Sequence, residues 1–136
     1  MNPSIKLKSS KNAITNKIVI PLPLTDLNTY INKERGHRQA GAAEKRKMTK
    51  KCALFVTRAM QLGVKFEFPC RVKLTWIIPN KRKDADNIAF AKKFIFDGMV
   101  QAGFIENDNL NYIKGFSDHF MINKDEESRV IVEMEA

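Results

Sequence analysis

Histidine and cysteine are scarce in this chain. His37 and His119 are the only histidines, too few and too far apart for a histidine-based metal nuclease motif. Cys52 and Cys70 are the only cysteines, which excludes a cysteine-rich zinc site. With no signal-like apolar stretch at the N-terminus, they read as reduced thiols of a cytoplasmic protein. No apolar run approaches the roughly 20 residues that span a bilayer. Residues 18–24 are apolar but include Pro21 and Pro23. There is no glycine-rich phosphate loop, which argues against an NTPase. No serine or cysteine has a paired base, and neither repeats nor low-complexity tracts occur.

Acidic residues are also in deficit. Lys and Arg number 24 against 15 Asp and Glu, a net charge of +9 over 136 residues. Residues 1–83 hold 19 cations and 4 acids, whereas residues 84–136 hold 5 cations and 11 acids, so the halves carry +15 and −6. The cations gather at Lys33, Arg35, Arg38, Lys45, Arg46, Lys47, Lys50 and Lys51, and again at Lys81, Arg82 and Lys83. A single charge run is ordinarily a solvated face. Two runs in a chain of this net charge favour a polyanion, most commonly nucleic acid.

The apolar fraction of 43% suits one globular domain of this length. Residues 1–16 are polar and read as loosely held. Lys17–Pro21 is a short strand stopped by prolines. Residues 24–41, with Asp26, Asn28, Asn32, Gly36 and Gly41, read as a long, exposed basic loop. Residues 42–62 form a helix whose stripe is Met48, Cys52, Phe55, Val56 and Ala59, ended by Gly63. Cys70–Ile78 alternates as a half-buried strand, with Val72, Leu74, Trp76 and Ile78 facing one way. Residues 86–102 form a second helix with Ile88, Ala91, Ile95 and Met99 inward. Residues 105–109 make a turn, residues 112–122 hold a strand, and residues 123–128 form a hairpin loop before the last strand, Arg129–Met134. The expected order is β-α-β-α-β-β, an α/β (α+β) single domain with one mixed sheet and two helices on one face. Trp76, Phe66 and Phe68 are assigned to the core. Tyr30, in the basic loop, is the better candidate for stacking on a base.

In so basic a protein the clustered acids are informative. Asp84 and Asp86 follow three cations and open a helix, and Asp108 lies in a turn shortly after it. A carboxylate repels phosphate unless a cation lies between them, and Mg²⁺ takes one or two carboxylates plus waters and phosphate oxygens. Such a set next to a basic groove is what metal-assisted phosphodiester hydrolysis requires. The plainer readings are an N-cap at Asp84 or Asp86 and ordinary turn chemistry at Asp108. On a continuous helix, Asp86, Lys93 and Asp97 fall within roughly 40° of one another. Lys93 and Asp97 could then be a surface ion pair, or Lys93 could reach the scissile phosphate.

These residues carry a recognisable pattern. Lys81-Arg82-Lys83-Asp84-Ala85-Asp86-Asn87-Ile88, then Lys93 with Asp97 four residues on, then Ala102-Gly103-Phe104 and Asp108, resemble the core of the RusA family of Holliday-junction resolvases, often encoded by phages and prophages. Ile20-Pro21-Leu22-Pro23, followed by Asn28, Tyr30 and a basic glycine-containing segment, is similar to that family's opening. The resemblance covers roughly residues 17–134. It implies a homodimeric, Mg²⁺-dependent endonuclease, with Mn²⁺ able to substitute, that cuts four-way DNA junctions symmetrically in recombination and repair. It implies that Asp84, Asp86 and Asp108 bind the metal and that Lys93 is the catalytic lysine. The helix after D-x-D-N is three residues longer here, and Phe90 falls where an ungapped match would put the lysine. Three residues is close to one helical turn, so Lys93 is preferred to Lys92, which would lie about 100° away. Asn107 occupies a place often acidic in the family and is not counted as a ligand. Two other function classes are open to the chain: a non-catalytic module that binds branched DNA, and a basic interaction protein with no nucleic acid, which predicts no steep salt dependence of DNA binding.

Overall fold

A computed structural model describes residues 16–135. The residues expected to be loosely held lie outside the described residues up to position 15. Four strands, β1 (Lys17–Pro21), β2 (Cys70–Ile78), β3 (Ile113–Ile122) and β4 (Arg129–Met134), form one mixed sheet in the order β1-β4-β2-β3. Pairing is antiparallel for β1 with β4 and for β4 with β2, and parallel for β2 with β3. The expected α+β class, with a single mixed sheet, is the one found.

Four helical segments accompany it: α1 (Leu27–Gly36), α2 (Arg38–Gln61), α3 (Ala85–Ala89) and α4 (Lys92–Gln101). One sheet face is buried. Ile18, Ile20, Val72, Leu74, Trp76, Val130 and Val132 are fully enclosed, and Cys52 and Val56 of α2 with Phe94, Ile95 and Met99 of α4 join them in one core. The alternation in β1 and β2 thus reports a sheet covered on one side. Burial pushes the Cys52 thiol pKa up to about 12, so this thiol packs as a small apolar group. Phe66, Phe68 and Phe104 form an aromatic cluster at the edge of this core, with the Phe66 and Phe104 rings edge-on at 4.9 Å.

Helices α2 and α4 cross at Gly98. A Cβ there would stand 2.7 Å from Cys52 Cβ and 2.9 Å from the Ala53 backbone nitrogen. Gly98→Ala should therefore destabilise the fold by about 1–3 kcal/mol, reversing the usual helical preference for alanine. A urea unfolding curve checks this, and an unchanged or raised midpoint would contradict so tight a crossing.

Three expectations need correction. Residues 24–41 are not a loop, because α1 occupies Leu27–Gly36 and α2 begins at Arg38. Asp26 is the N-cap of α1, its carboxylate accepting from the Thr29 backbone N–H at 2.8 Å. Gly41 permits close packing, since a Cβ there would meet Glu34 of α1 at 3.2–3.3 Å. The single helix expected over residues 86–102 is two. Between them the chain tightens into i→i−3 bonds, Ala91 N to Ile88 O, Lys93 N to Phe90 O and Phe94 N to Ala91 O. Residues 123–128 do not close a hairpin, because β2 lies between β3 and β4. Parallel β2 and β3 are joined by the α3–α4 crossover instead.

Candidate active site and nucleic-acid surface

The loop after β2 carries Lys81, Arg82 and Lys83 and ends at Asp84, the N-cap position of α3. The Asp84 side chain makes no capping bond. Asp84, Asp86 and Asp108 are all exposed. Among the described residues no hydrogen bond or ion pair ties up any of their carboxylates.

Asp86 lines a cleft between α3, α4 and the edge strand β3, together with Lys92, Lys93 and Asp118. Both lysines reach it. The tightened turn at Phe90–Ala91 removes the regular 100° count on which Lys92 is expected to point elsewhere. The two side chains differ in their surroundings. Lys92 is largely buried, paired with Asp118 and seated over the Phe116 ring at 4.3 Å. Asp118 also accepts from the Trp76 indole N–H at 2.8 Å, so the pair is anchored to the core. Lys93 is 56% exposed and 3.5 Å from Asp97. An exposed i, i+4 pair of this kind is worth only a few tenths of a kcal/mol, so it holds Lys93 weakly.

Asp108 lines a second depression with Asp97, Lys45, Arg46 and Lys50. Asp97 connects the two depressions, lying 3.5 Å from Lys93 and 4.0 Å from Lys45. Asp84 and Asp86 stand two positions apart at the start of α3; Asp84 lines neither depression, and Asp108 does not line the cleft that holds Asp86. Among the described residues no three His, Cys, Asp or Glu side chains are grouped so as to share a metal ion. Asp84 and Asp86 are exposed oxygen donors without an ion-pair partner among the described residues, and one or two carboxylates are what Mg²⁺ takes from protein when phosphate and water complete its shell.

The cations of the first run stand on helices. Lys33 and Arg35 are on α1, and Arg38, Lys45, Arg46, Lys47 and Lys50 on α2, all exposed. Lys33 lies 3.9 Å from Glu44. Lys51 turns inward, donating to the Pro23 carbonyl at 2.9 Å, and burial lowers its pKa. Tyr30 is not at a loop tip. Its ring packs on Phe90 and Phe94 with centroids 5.5 and 6.1 Å away, so it is a packing residue between α1 and the α3–α4 turn.

Lys83 pairs with Asp26, which is 7% exposed. Burial raises the Asp26 pKa, but the hydrogen bonds from Lys83 and Thr29 outweigh it and hold the carboxyl below its ordinary value. A depressed folded pKa gives stability that is fully present above the unfolded value, about 3.9, and lost as pH falls through the folded one. Asp26→Asn should thus cost stability at pH 6–7, and its deficit relative to wild type should shrink below about pH 4. Thermal unfolding across pH 3–7 reads this out, and a deficit that does not change with pH would contradict it.

Asp118 is the residue that sequence reasoning overlooked. Its one signal is an acid in a strand whose same-face neighbours are Phe116 and Phe120. No protein-family model matches the chain, and no curated protein matches it significantly.

Proposed function

We propose that this protein is a metal-dependent, structure-specific DNA endonuclease that resolves Holliday junctions by paired, symmetric phosphodiester cleavage. The observation that carries the reading is the pair of carboxylates Asp84 and Asp86, unpaired among the described residues, at the end of a three-cation loop, with Asp86 lining the cleft that contains Lys93. Uncommitted acids amid cations are costly for a protein that only binds phosphate, and useful to one that places a metal ion against it. Asp84 and Asp86 would hold Mg²⁺ or Mn²⁺, which supplies Lewis-acid polarisation of the phosphodiester when bound. Lys93 would offset charge developing on the scissile phosphate. Arg38, Arg46, Lys47, Lys50, Lys81 and Arg82 would hold flanking phosphates. Asp108 enters as a third carboxylate through the resemblance to the RusA family alone.

Two symmetric cuts need two sites, hence a homodimer. Strand β3 is a sheet edge on which Phe116, Met121 and Ile122 are 47%, 55% and 46% exposed, and a second copy covering that edge would remove this apolar surface from water. Among the described residues no helix is long and apolar enough to cross a membrane.

A non-catalytic branched-DNA-binding module is the second reading, favoured by the lack of a three-carboxylate group among the described residues. Binding measured in EDTA over a salt series, on a four-way junction and on linear duplex of the same sequence, comes first. The reading expects junction preference and a steep fall of affinity with salt. Equal affinity for both DNAs would remove the structure-specific part of the proposal, and a flat salt response would remove DNA as the partner.

A further inference from the structure

A cleft of about 410 Å³ opens at the end of the sheet where β1 and β2 finish and β4 begins. Of its lining residues only Arg82 has a role assigned above, on a flanking phosphate. Its volume lies within the roughly 300–1,000 Å³ of small-ligand pockets. Its apolar walls include Leu22, Ile78 and Ile88, and its rim carries Asn80, Arg82 and Ser128. We propose that this cleft receives one unstacked nucleobase of the DNA strand whose phosphate lies against Asp84 and Asp86. The inference rests on the endonuclease reading and adds a base-binding subsite to it.

Three observations support the assignment. The first is position. The loop from β2 to α3 lines the cleft through Asn80 and Arg82 and reaches Asp84 two residues later, a span of at most about 7 Å. Helix α3 presents Ile88 to this cleft and Asp86 to the cleft of Lys93. A strand crossing α3 would place a phosphate on one side and an adjacent base on the other. The second is charge. Arg82 has no acidic partner among the described residues, and Asp26, the one acid at the cleft, is already paired with Lys83. The surroundings therefore suit a polyanion and disfavour an acid-poor apolar peptide. The third is the mixture of surfaces. Aliphatic walls suit the faces of a flat base. The Asn80 side-chain oxygen accepts from the Arg82 backbone N–H at 3.0 Å, which leaves its amide NH₂ to donate to a base edge, and the Ser128 hydroxyl on the rim can donate or accept. Bases at a branch point are the ones most cheaply unstacked.

The test uses four-way junctions in EDTA, each with a single abasic site at one position flanking the branch, so that every phosphate is retained. For the wild-type protein, one position per strand should weaken binding by about tenfold or more, the scale of lost base contacts. In Ile88→Phe, which fills the cleft, the same abasic site should cost little, because the base is already excluded. Asn80→Ala should reduce the penalty at little cost in stability, since the one bond it gives up, from the Arg82 backbone N–H, is exposed to water. If wild type cuts the intact junction normally with Mg²⁺ but no abasic position weakens its binding, the subsite is wrong and the endonuclease reading stands. The same holds if the penalty is identical in both variants. If wild type neither prefers nor cuts the intact junction, both proposals fall together.

Discussion

Asp86→Asn is expected to slow junction cleavage at least about 10³-fold while leaving junction affinity equal to or better than wild type. The substitution is nearly isosteric and the side chain is exposed, so neither packing nor α3 should suffer. What it removes is one of two anionic ligands, and neutral amide oxygen is a much poorer donor to a hard dication. It also removes a charge that repels DNA, which is why binding should hold or improve. Single-turnover cleavage at saturating protein separates the two effects. A loss of binding equal to the loss of cleavage would mean that Asp86 positions DNA by some other route.

The second large effect distinguishes neighbouring lysines. Lys93→Met is expected to reduce single-turnover cleavage by about 10²–10³-fold, the scale seen when one preorganised charge stabiliser is removed. Its effect on stability should be small, because its pair with Asp97 is exposed. Lys92→Met should do the opposite. It leaves Asp118, largely buried, with Trp76 as its remaining side-chain donor, so stability should fall by about 1–3 kcal/mol and cleavage by no more than about tenfold. Chemical denaturation and cleavage on the same two variants decide it. If Lys92→Met loses cleavage and Lys93→Met does not, the catalytic lysine is the buried one anchored by Asp118.

Much of the fold was legible because burial imposes a period. Val72, Leu74 and Trp76 alternate since one sheet face is covered, and Met48, Cys52, Val56 and Ala59 repeat since α2 packs on that face. Helix α1 was not legible, having no buried residue and therefore no apolar stripe. Its start signal was Asp26, which serves equally well as a turn residue and an N-cap. The break at Phe90–Ala91 contains neither glycine nor proline. It accompanies the packing of Phe90 on Tyr30 and Phe94, a tertiary effect that local sequence does not encode. The separation of β3 from β4 depends on β2 lying between them, against the tendency of consecutive strands to pair. At the site, the placement of Asp84 and Asp86 two positions apart in one exposed turn is read directly from the chain. The Lys92–Asp118–Trp76 anchor joins residues far apart in sequence, and only the parallel register of β2 and β3 reveals it.

The most direct measurement is strand cleavage of an end-labelled four-way junction by the wild-type protein, with Mg²⁺, with Mn²⁺ and with EDTA. Paired nicks at symmetry-related positions, present with either metal and absent in EDTA, are the predicted result. Tight, junction-selective binding with no cleavage under any metal would contradict it and leave a branched-DNA-binding module.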